Sequence, residues 1–320
     1  MSYLLFPEIA KSLVALVGTL FVFAMTILFT AKLHPFLPKD GGREYAHDGK
    51  LSAGKPRGAG IIFVFVFVAG VLLFVPISAE MIIYLLLLVI CMLTGYLDDV
   101  SEEPWGEYKK GFLDLCVAAM LAFTYLRFNG SEMDIALLGM HVTLPTWLFA
   151  ILTVILVWVS VNVTNCADGV DGLSGTLAII TLMSIYVIDL IRQRDENFSF
   201  PILLFCTCIL GYLWFNATPS KLMMGDAGSR AMGLFIAIMI LKTGAPILYV
   251  PVALVLILDG GLGLIKVSLI RFAKIHLMKN LRTPLHDHAR KNVGWSNTQT
   301  VFRFAIIQIV ISMVVIYGLL

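Results

Sequence analysis

The sequence has 320 residues, of which 59% are hydrophobic and 14% are charged, with a formal net charge of +2. Soluble domains have about 45–50% apolar and about 25% charged residues. The composition therefore excludes a chain with a single soluble core and predicts that a lipid bilayer surrounds most of it. The small net charge does not indicate a nucleic-acid partner, and none is expected.

Ten apolar runs are long enough to cross, or nearly cross, a hydrocarbon layer of about 30 Å. They span residues 9–31, 60–76, 80–97, 112–127, 146–164, 173–191, 200–217, 229–243, 246–272 and 299–319. We therefore predict an all-α integral membrane protein with ten transmembrane helices, forming one domain over residues 1–320.

Two segments depart from simple apolar helices. The ninth run contains Pro251 and a cluster of glycines, and it also carries Asp259 and Lys266. We expect it to bend or break, with its charged end outside the lipid. The segment 128–145 alternates polar and apolar residues around Asn129-Gly130, which predicts a short hairpin.

Lysine and arginine are concentrated on one side of the predicted bundle. Of 23 such residues, 17 lie in or beside the connections that follow the first, third, fifth, seventh and ninth runs. They are Lys32, Lys39, Arg43, Lys50, Lys55, Arg57, Lys109, Lys110, Lys221, Arg230, Arg271, Lys274, Lys279, Arg282, Arg290, Lys291 and Arg303. By the positive-inside rule, these five connections are cytoplasmic and both termini are extracytoplasmic.

Adjacent carboxylates, Asp98 and Asp99, stand at the cytoplasmic end of the run 80–97. They repel each other and lie at the negative end of a helix macrodipole, so a nearby cation is needed to stabilise them. Mg²⁺ bound by carboxylates together with substrate phosphates would meet that need. A solvated acidic helix end is the simpler alternative.

The connection after the fifth run is rich in amides and carboxylates. Asn162, Asn165, Asp168 and Asp171 fall within ten residues of one another. Such side chains can bind a nucleobase, a ribose or a metal-bound water. An ordinary turn that caps the next helix is the alternative, although it requires fewer polar groups.

Three further clusters occur in the other cytoplasmic connections. Gly225-Asp226 opens a predicted helix, where the helix N-terminus favours phosphate and the Asp could hold a metal. His286 and His288 could bind phosphate, donate protons or ligate a metal. Lys55 opens Lys55-Pro56-Arg57-Gly58-Ala59-Gly60, which suits a phosphate contact. Helix capping, a hydrated loop near lipid phosphates and positive-inside anchoring are the respective alternatives.

Helix caps that arise independently of one another are not expected to lie on one face of a membrane. Acidic and basic clusters pooled on that face indicate a divalent metal and a polyanionic substrate. Chemistry at a phosphorus atom fits, because Mg²⁺ neutralises the charge of the phosphates during nucleophilic attack.

These motifs resemble a known superfamily, the polyprenyl-phosphate N-acetylhexosamine-1-phosphate transferases. The resemblance rests on four signatures in the same order, namely Leu97-Asp98-Asp99, Asn162-x-x-Asn165-x-x-Asp168-Gly169-x-Asp171-Gly172-Leu173, Gly225-Asp226-x-Gly228-Ser229 and Pro284-Leu285-His286-x-His288. The stretch Gly294-Trp295-Ser296-x-Thr298-Gln299-x-Val301-x-Arg303-Phe304 resembles the branch that uses a muramoyl-pentapeptide donor.

The resemblance implies transfer of phospho-MurNAc-pentapeptide from UDP-MurNAc-pentapeptide to undecaprenyl phosphate, giving lipid I and UMP for peptidoglycan synthesis. It implies a multi-pass protein of the bacterial inner (plasma) membrane, with its active site on the cytoplasmic face and lipid around it. Two alternatives stay open: a sister enzyme that uses UDP-N-acetylglucosamine, and a transporter with Asp259 and Lys266 near mid-membrane. Whether the chain forms a homodimer is also open.

The resemblance further implies roles for individual residues. The catalytic group would be Asp98, Asp99, Asp226 and His286, with Asp98 activating the lipid phosphate. Mg²⁺ would be held by Asp226 with Asp98 or Asp99. The substrate-binding group would be Lys55, Asn162, Asn165, Asp168, Asp171, Gly225 and His288.

Several positions depart from the family pattern. Glu102 stands where a lysine is usual, and Lys109 or Lys110 could replace that lysine. Lys55 begins a segment that usually reads T-P-T-M-G-G, and Asp287 stands between two histidines where a third is usual. In the ninth run, Asp259 and Lys266 replace the more usual Glu and Gln.

Overall fold

The computed structural model describes residues 11–42, 52–101, 103, 105–194, 196–276, 278 and 280–320. Four residues used in the sequence analysis lie outside the described residues: Arg43, Lys50, Glu102 and Lys279.

The described residues form helices joined by short connections, with one small β-hairpin. In chain order the helices are α1 (Lys11–Leu33), α2 (Gly60–Phe74), α3 (Ala79–Val100), α4 (Glu107–Asn129), α5 (Thr146–Cys166), α6 (Leu173–Arg192), α7 (Glu196–Asn216), α8 (Gly225–Lys242), α9 (Tyr249–Val252), α10 (Leu254–Ser268), α11 (Leu285–Lys291) and α12 (Asn297–Tyr317). The hairpin strands are β1 (Glu132–Ile135) and β2 (Met140–Thr143).

Within the described residues, each of the ten predicted apolar runs coincides with helix. Within the described ranges, seven helices are long and apolar enough to cross a membrane, namely α1, α3, α4, α5, α6, α7 and α12, and an eighth span is present if the bent pair around Ala253 is counted as one. Helix α2 has only 15 residues. The prediction of a largely helical, multi-pass membrane protein is therefore confirmed, while the count of ten spans stays a prediction.

The predicted break in the ninth run is confirmed, and it lies beside Pro251 rather than at the glycines. The helical segments Pro246–Val252 and Leu254–Ala273 meet at an angle of 87°. The buried side chain of Gln308 in α12 satisfies backbone groups at this break: its Nε2 donates to the carbonyl of Pro251 at 3.1 Å, and its Oε1 accepts from the N–H of Val255 at 2.8 Å. In an apolar environment such groups are costly without partners.

The predicted hairpin is present, but its turn is not at Asn129-Gly130. Gly130 ends α4, and the strands pair antiparallel from Glu132 opposite Thr143 to Ile135 opposite Met140. The chain therefore reverses after Ile135, which adds a small β element to the helical protein.

The hairpin is tied to the end of α6 through Asp134. This carboxylate accepts hydrogen bonds from His141, Arg194 and Arg192. The His141 hydrogen bond and the two guanidinium groups hold the pKa of Asp134 well below its ordinary value. Asp134 therefore stays ionised and joins the two chain segments.

Helix α8 lies at the centre of the bundle. From its second turn onward its residues are buried, and it packs against α2, α3, α5 and α6. Two glycines permit this close packing. A Cβ on Gly60 would lie 2.0 Å from the backbone nitrogen of Gly228, and a Cβ on Gly95 would lie 2.5 Å from the carbonyl oxygen of Asp226. The start of α8 therefore touches the start of α2 and the end of α3.

We predict that Gly60→Ala destabilises the protein, because the added methyl group would meet backbone rather than a flexible side chain. The expected loss in free energy of unfolding is about 1–3 kcal/mol, the usual range for overpacking. Thermal unfolding in detergent measures it. Gly111→Ala is the matched control, because a Cβ there meets nothing within 4 Å and Ala favours helix over Gly by about 0.5–1 kcal/mol. Equal destabilisation by both variants would contradict the packing argument.

Candidate active site

The carboxylates of Asp98, Asp99 and Asp226 converge where the end of α3 meets the start of α8. Asp226 is linked to Asp99 by Arg57, whose Nη2 lies 2.8 Å from Asp99 Oδ1 and 3.4 Å from Asp226 Oδ1. Asp226 is linked to Asp98 by Lys110, whose Nζ lies 2.5 Å from Asp98 Oδ2 and 3.6 Å from Asp226 Oδ2. Asp226 is thus the carboxylate that both cations share.

Backbone N–H groups hold the other two carboxylates in place. Asp98 Oδ1 accepts from the N–H of Trp105 at 2.8 Å, and Asp99 Oδ2 accepts from the N–H of Ala227 at 3.2 Å. Ala227 belongs to the first turn of α8, where the helix macrodipole favours negative charge. The positive end of α8 therefore offsets the cost of ending α3 with two acids.

Gly225 makes this approach possible. It has φ +68°, and a Cβ on it would lie 2.1 Å from Asp99 Oδ2. Any larger residue would push Asp99 away from the start of α8. The observed role of Gly225 is therefore to admit a carboxylate, while its predicted contact with substrate stays a prediction.

The charge balance of this cluster favours a further cation. Arg57 also lies 3.6 Å from Asp40, so four carboxylates surround two cationic side chains, and carboxylates outnumber cations in the cluster. Burial opposes the charge of Arg57, but the carboxylates of Asp99 and Asp226 outweigh it and raise the pKa of Arg57. Arg57 therefore stays charged at neutral pH.

The donor chemistry of the cluster fits Mg²⁺, with Asp226 as the most accessible ligand. The exposed fraction of the side chain is 14% for Asp226, 5% for Asp98 and 0% for Asp99. In the part of the chain that the structure describes, no three His, Cys, Asp or Glu side chains are grouped closely enough to hold a metal. Mg²⁺ commonly binds one or two carboxylates and completes its shell with water and substrate phosphates.

The last turns of α5 and the connection from α5 to α6 lie beside the same cluster. Asn165 Nδ2 donates to Ser229 Oγ at 2.9 Å and also contacts Asp226. Asp168 accepts from Ser174 Oγ at 2.6 Å. Asn162 is one helical turn further away, where it contacts Asp114. Asn165 is therefore the amide closest to the acidic cluster.

Lys55 lies close to Asp171, which belongs to the connection between α5 and α6. Lys55 Nζ donates to Ser220 Oγ at 2.9 Å and lies 3.9 Å from Asp171 Oδ2. Asp171 Oδ2 also accepts from the N–H of Ser220 at 3.4 Å. The predicted phosphate-binding lysine and the predicted nucleotide-binding aspartate are thus neighbours.

His286 lies against the same connection. Its Nδ1 is 2.8 Å from Asp259 Oδ2, and its ring Nε2 is so close to Gly169 that a Cβ there would lie 2.3 Å from it. His288 instead contacts its own loop, because its Nδ1 accepts from the N–H of Arg282 at 3.3 Å. The two histidines therefore have different surroundings, although the sequence motif predicts phosphate contact for both.

Two departures from the family pattern also find partners here. Asp287 accepts from Arg290 at 2.8 Å, and Arg290 Nη2 also donates to the carbonyl of Gly169 at 3.4 Å. Lys266 Nζ donates to the carbonyl of Leu281 at 2.7 Å. Both side chains fix the loop that carries the histidines.

The sequence analysis missed Asp40 and did not pair Arg57 with the acids. Arg57 was named only within the phosphate-contact segment that Lys55 opens, where it follows Lys55 at the two-residue spacing that places extended side chains on one face. Between Lys109 and Lys110, it is Lys110 that contacts the acids, since Lys109 Nζ lies 3.3 Å from the ring centre of Trp105.

The arrangement joins clustered carboxylates, cations able to bind phosphate and a histidine–carboxylate pair at one end of a helical bundle. Such a site suits phosphoryl transfer with a divalent metal. In agreement, residues 81–244, just over half of the chain, match the family model described as glycosyl transferase family 4. The chain belongs to this family of membrane-embedded transferases.

Similarity to individual proteins narrows the family. A phospho-N-acetylmuramoyl-pentapeptide-transferase of Treponema pallidum (strain Nichols) is 39% identical over 306 residues, covering 90% of this chain and 84% of the relative. Proteins of the same name from Bacillus licheniformis and from Wolbachia of Drosophila simulans are 28% and 26% identical. They cover 88% and 94% of this chain, and 90% and 97% of the relatives. The chain belongs to the phospho-N-acetylmuramoyl-pentapeptide-transferase family, which confirms the resemblance found in its motifs.

We predict that Arg57→Met destabilises the protein, because it leaves Asp99 buried without its counter-ion. The expected loss in free energy of unfolding is about 3 kcal/mol, the lower end of the range for breaking a buried ion pair, since the Arg57 side chain is 19% exposed. Thermal unfolding in detergent measures this loss, and Lys221→Met, which removes an exposed cation, is the control.

The double variant Arg57→Met/Asp99→Asn separates the ion pair from general packing. It should be more stable than the sum of the two single effects predicts, because the second change removes the uncompensated charge. Strict additivity would show that the pair does not stabilise the protein.

Proposed function

We propose that this chain transfers phospho-MurNAc-pentapeptide from UDP-MurNAc-pentapeptide to undecaprenyl phosphate, producing lipid I and UMP for peptidoglycan synthesis. The observation that carries the proposal is the position of Asp226. It is the shared neighbour of Arg57, Lys110 and Asn165, which come from the connection before α2, the first turn of α4 and the last turn of α5. Membership in the phospho-N-acetylmuramoyl-pentapeptide-transferase family supports the choice of donor.

Mg²⁺ is proposed as the cofactor, held by Asp226 together with Asp98 or Asp99 and the phosphates of the substrates. Bound there, it would neutralise negative charge on the phosphates. The excess of carboxylates over cationic side chains in the cluster supports this assignment. Arg57 and Lys110 keep the three carboxylates oriented, and they are themselves positioned to contact phosphate oxygens.

The remaining site residues are proposed to bind and orient the two substrates. The phosphate of undecaprenyl phosphate attacks the β-phosphorus of the donor, with Asp98 activating it, and UMP leaves. Asn162, Asn165, Asp168 and Asp171 would line the nucleotide-sugar pocket. The predicted phosphate contacts are Lys55, His286 and His288, and Gly225 is a predicted substrate contact at the start of α8.

We further propose that residues 1–320 form one domain that crosses the bacterial inner membrane ten times. The five connections rich in Lys and Arg would be cytoplasmic, with both termini on the other side. This topology brings a soluble donor and a lipid acceptor to the same interface. The contacts of Asp259 with His286 and of Lys266 with Leu281 support the transferase over a transporter, because both side chains serve the loop of the site.

We predict that the purified protein releases UMP when it receives UDP-MurNAc-pentapeptide, undecaprenyl phosphate and Mg²⁺. UDP-N-acetylglucosamine should give no UMP above background. UMP release with UDP-N-acetylglucosamine alone would assign the chain to the sister reaction. Substrate uptake into liposomes without UMP release would favour the transporter.

We also predict that Asp226→Asn lowers kcat by at least about 100-fold, because several kcal/mol of charge stabilisation corresponds to two or more powers of ten in rate. The same UMP assay measures it. Glu107→Gln is the control, since it removes an exposed carboxylate that pairs with Arg271 outside the cluster. Near-normal turnover of Asp226→Asn would refute the metal assignment.

A further inference from the structure

The buried pair of Asp259 and His286 joins α10 to α11. Both oxygens of the carboxylate are used: Oδ1 accepts from the backbone N–H of His286 at 2.8 Å, and Oδ2 lies 2.8 Å from ring Nδ1. The exposed fraction of the side chain is 0% for Asp259 and 3% for His286. Two contacts from one carboxylate to one residue fix both the position and the rotation of the ring.

With Asp259 ionised, this geometry selects the ring nitrogen that carries the proton. An ionised carboxylate can only accept hydrogen bonds, so Nδ1 must be the donor. The nitrogen bonded to a fixed acceptor is thereby protonated, and the other nitrogen is left for a second partner. In His286 that other nitrogen is Nε2.

Nε2 points at the connection between α5 and α6. It lies against Gly169, where an added Cβ would be 2.3 Å from it. Only glycine therefore fits at this position, next to Asp168 in the chain. Arg290 braces the same contact by donating both to Asp287 and to the carbonyl of Gly169. The ring edge is therefore held at the loop that carries Asp168 and Asp171.

The position of Asp259 is itself fixed by packing. The next residue, Gly260, lies so close to α5 that a Cβ on it would be 2.5 Å from the carbonyl oxygen of Val163. Val163 is two residues before Asn165, which contacts Asp226. The carboxylate, the ring and the acidic cluster are therefore connected through one rigid contact between α10 and α5.

We propose that Asp259 is a positioning residue for phosphoryl transfer. It holds a proton on Nδ1 of His286, so that Nε2 is the atom that meets an oxygen of the donor diphosphate at the Asp168–Asp171 loop. When the ring is charged, Nε2–H donates to that oxygen, and the Asp259 carboxylate balances the buried charge. This inference rests on the proposed function for the identity of the diphosphate, but the protonation pattern is a property of the protein alone.

The first test is NMR of the full-length protein, with histidine labelled with ¹⁵N, in detergent. The His286 signals are identified by their loss in His286→Gln. Near the alkaline end of the titration, where the ring is neutral, the wild type should carry its proton on Nδ1. Asp259→Asn should move it to Nε2, because the amide NH₂ donates to Nδ1. A wild-type ring protonated on Nε2 would overturn the proposal.

The second test is kinetic. Asp259→Asn should lower kcat/KM for the donor by about 100-fold, the lower end of the range for a positioned acid–base group. Asp259→Glu keeps the carboxylate and should recover activity to within about tenfold of the wild type on the same scale. Failure of Glu to recover more activity than Asn would overturn the role of the carboxylate.

Glu80→Gln is the matched control for destabilisation. Glu80 is also a buried carboxylate with a cationic partner, since it lies 3.1 Å from Lys242 at the far end of α8. It should lower thermal stability while kcat/KM, corrected for folded protein, stays within about threefold. Equal corrected losses in Glu80→Gln and Asp259→Asn would refute a specific role for Asp259. If the wild type releases no UMP, the proposed function fails, while the NMR result still decides the protonation pattern.

Discussion

The site depends on the contact of the start of α8 with the start of α2 and the end of α3. Three carboxylates meet at this contact, and without compensation they would drive the helices apart. The compensation comes from Arg57, from Lys110 and from the backbone N–H of Ala227. The N–H of Ala227 reaches Asp99 because Gly60 and Gly95 allow the backbone of α8 to touch that of α2 and α3.

The charges of α8 explain why a central helix is not the most apolar one. Arg230 is buried and pairs with Asp114 of α4, while Lys242 at the other end pairs with Glu80 of α3. An isolated charge in hydrocarbon is very unfavourable, but a paired one inside the bundle is tolerated. Helix α8 therefore takes its partners from neighbouring helices, and the lipid-facing apolar surface is left to helices such as α1 and α12.

The sequence analysis located the helices because apolar length is a local property. It also found the acids, amides and histidines, because their density in short connections is unusual. It missed Arg57 as a partner of Asp226, since the two are 169 positions apart and no local pattern pairs them. Asp40 was missed because no local pattern pairs it with Arg57 either. Asn162 and Asn165 looked equivalent, and only their place on α5, one turn apart, separates them.

The break at Ala253 sets the direction of the helix that carries Asp259. A straight continuation of α9 would aim α10 along a different path, whereas the observed angle between the two helical segments is 87°. Gln308 of α12 stabilises this break by bonding the backbone of Pro251 and Val255. The redirected α10 then packs on α5 through Gly260, which sets Asp259 beside His286. Gln308 thus contributes, through backbone hydrogen bonds, to the orientation of the His286 ring, which Asp259 holds one turn further along α10.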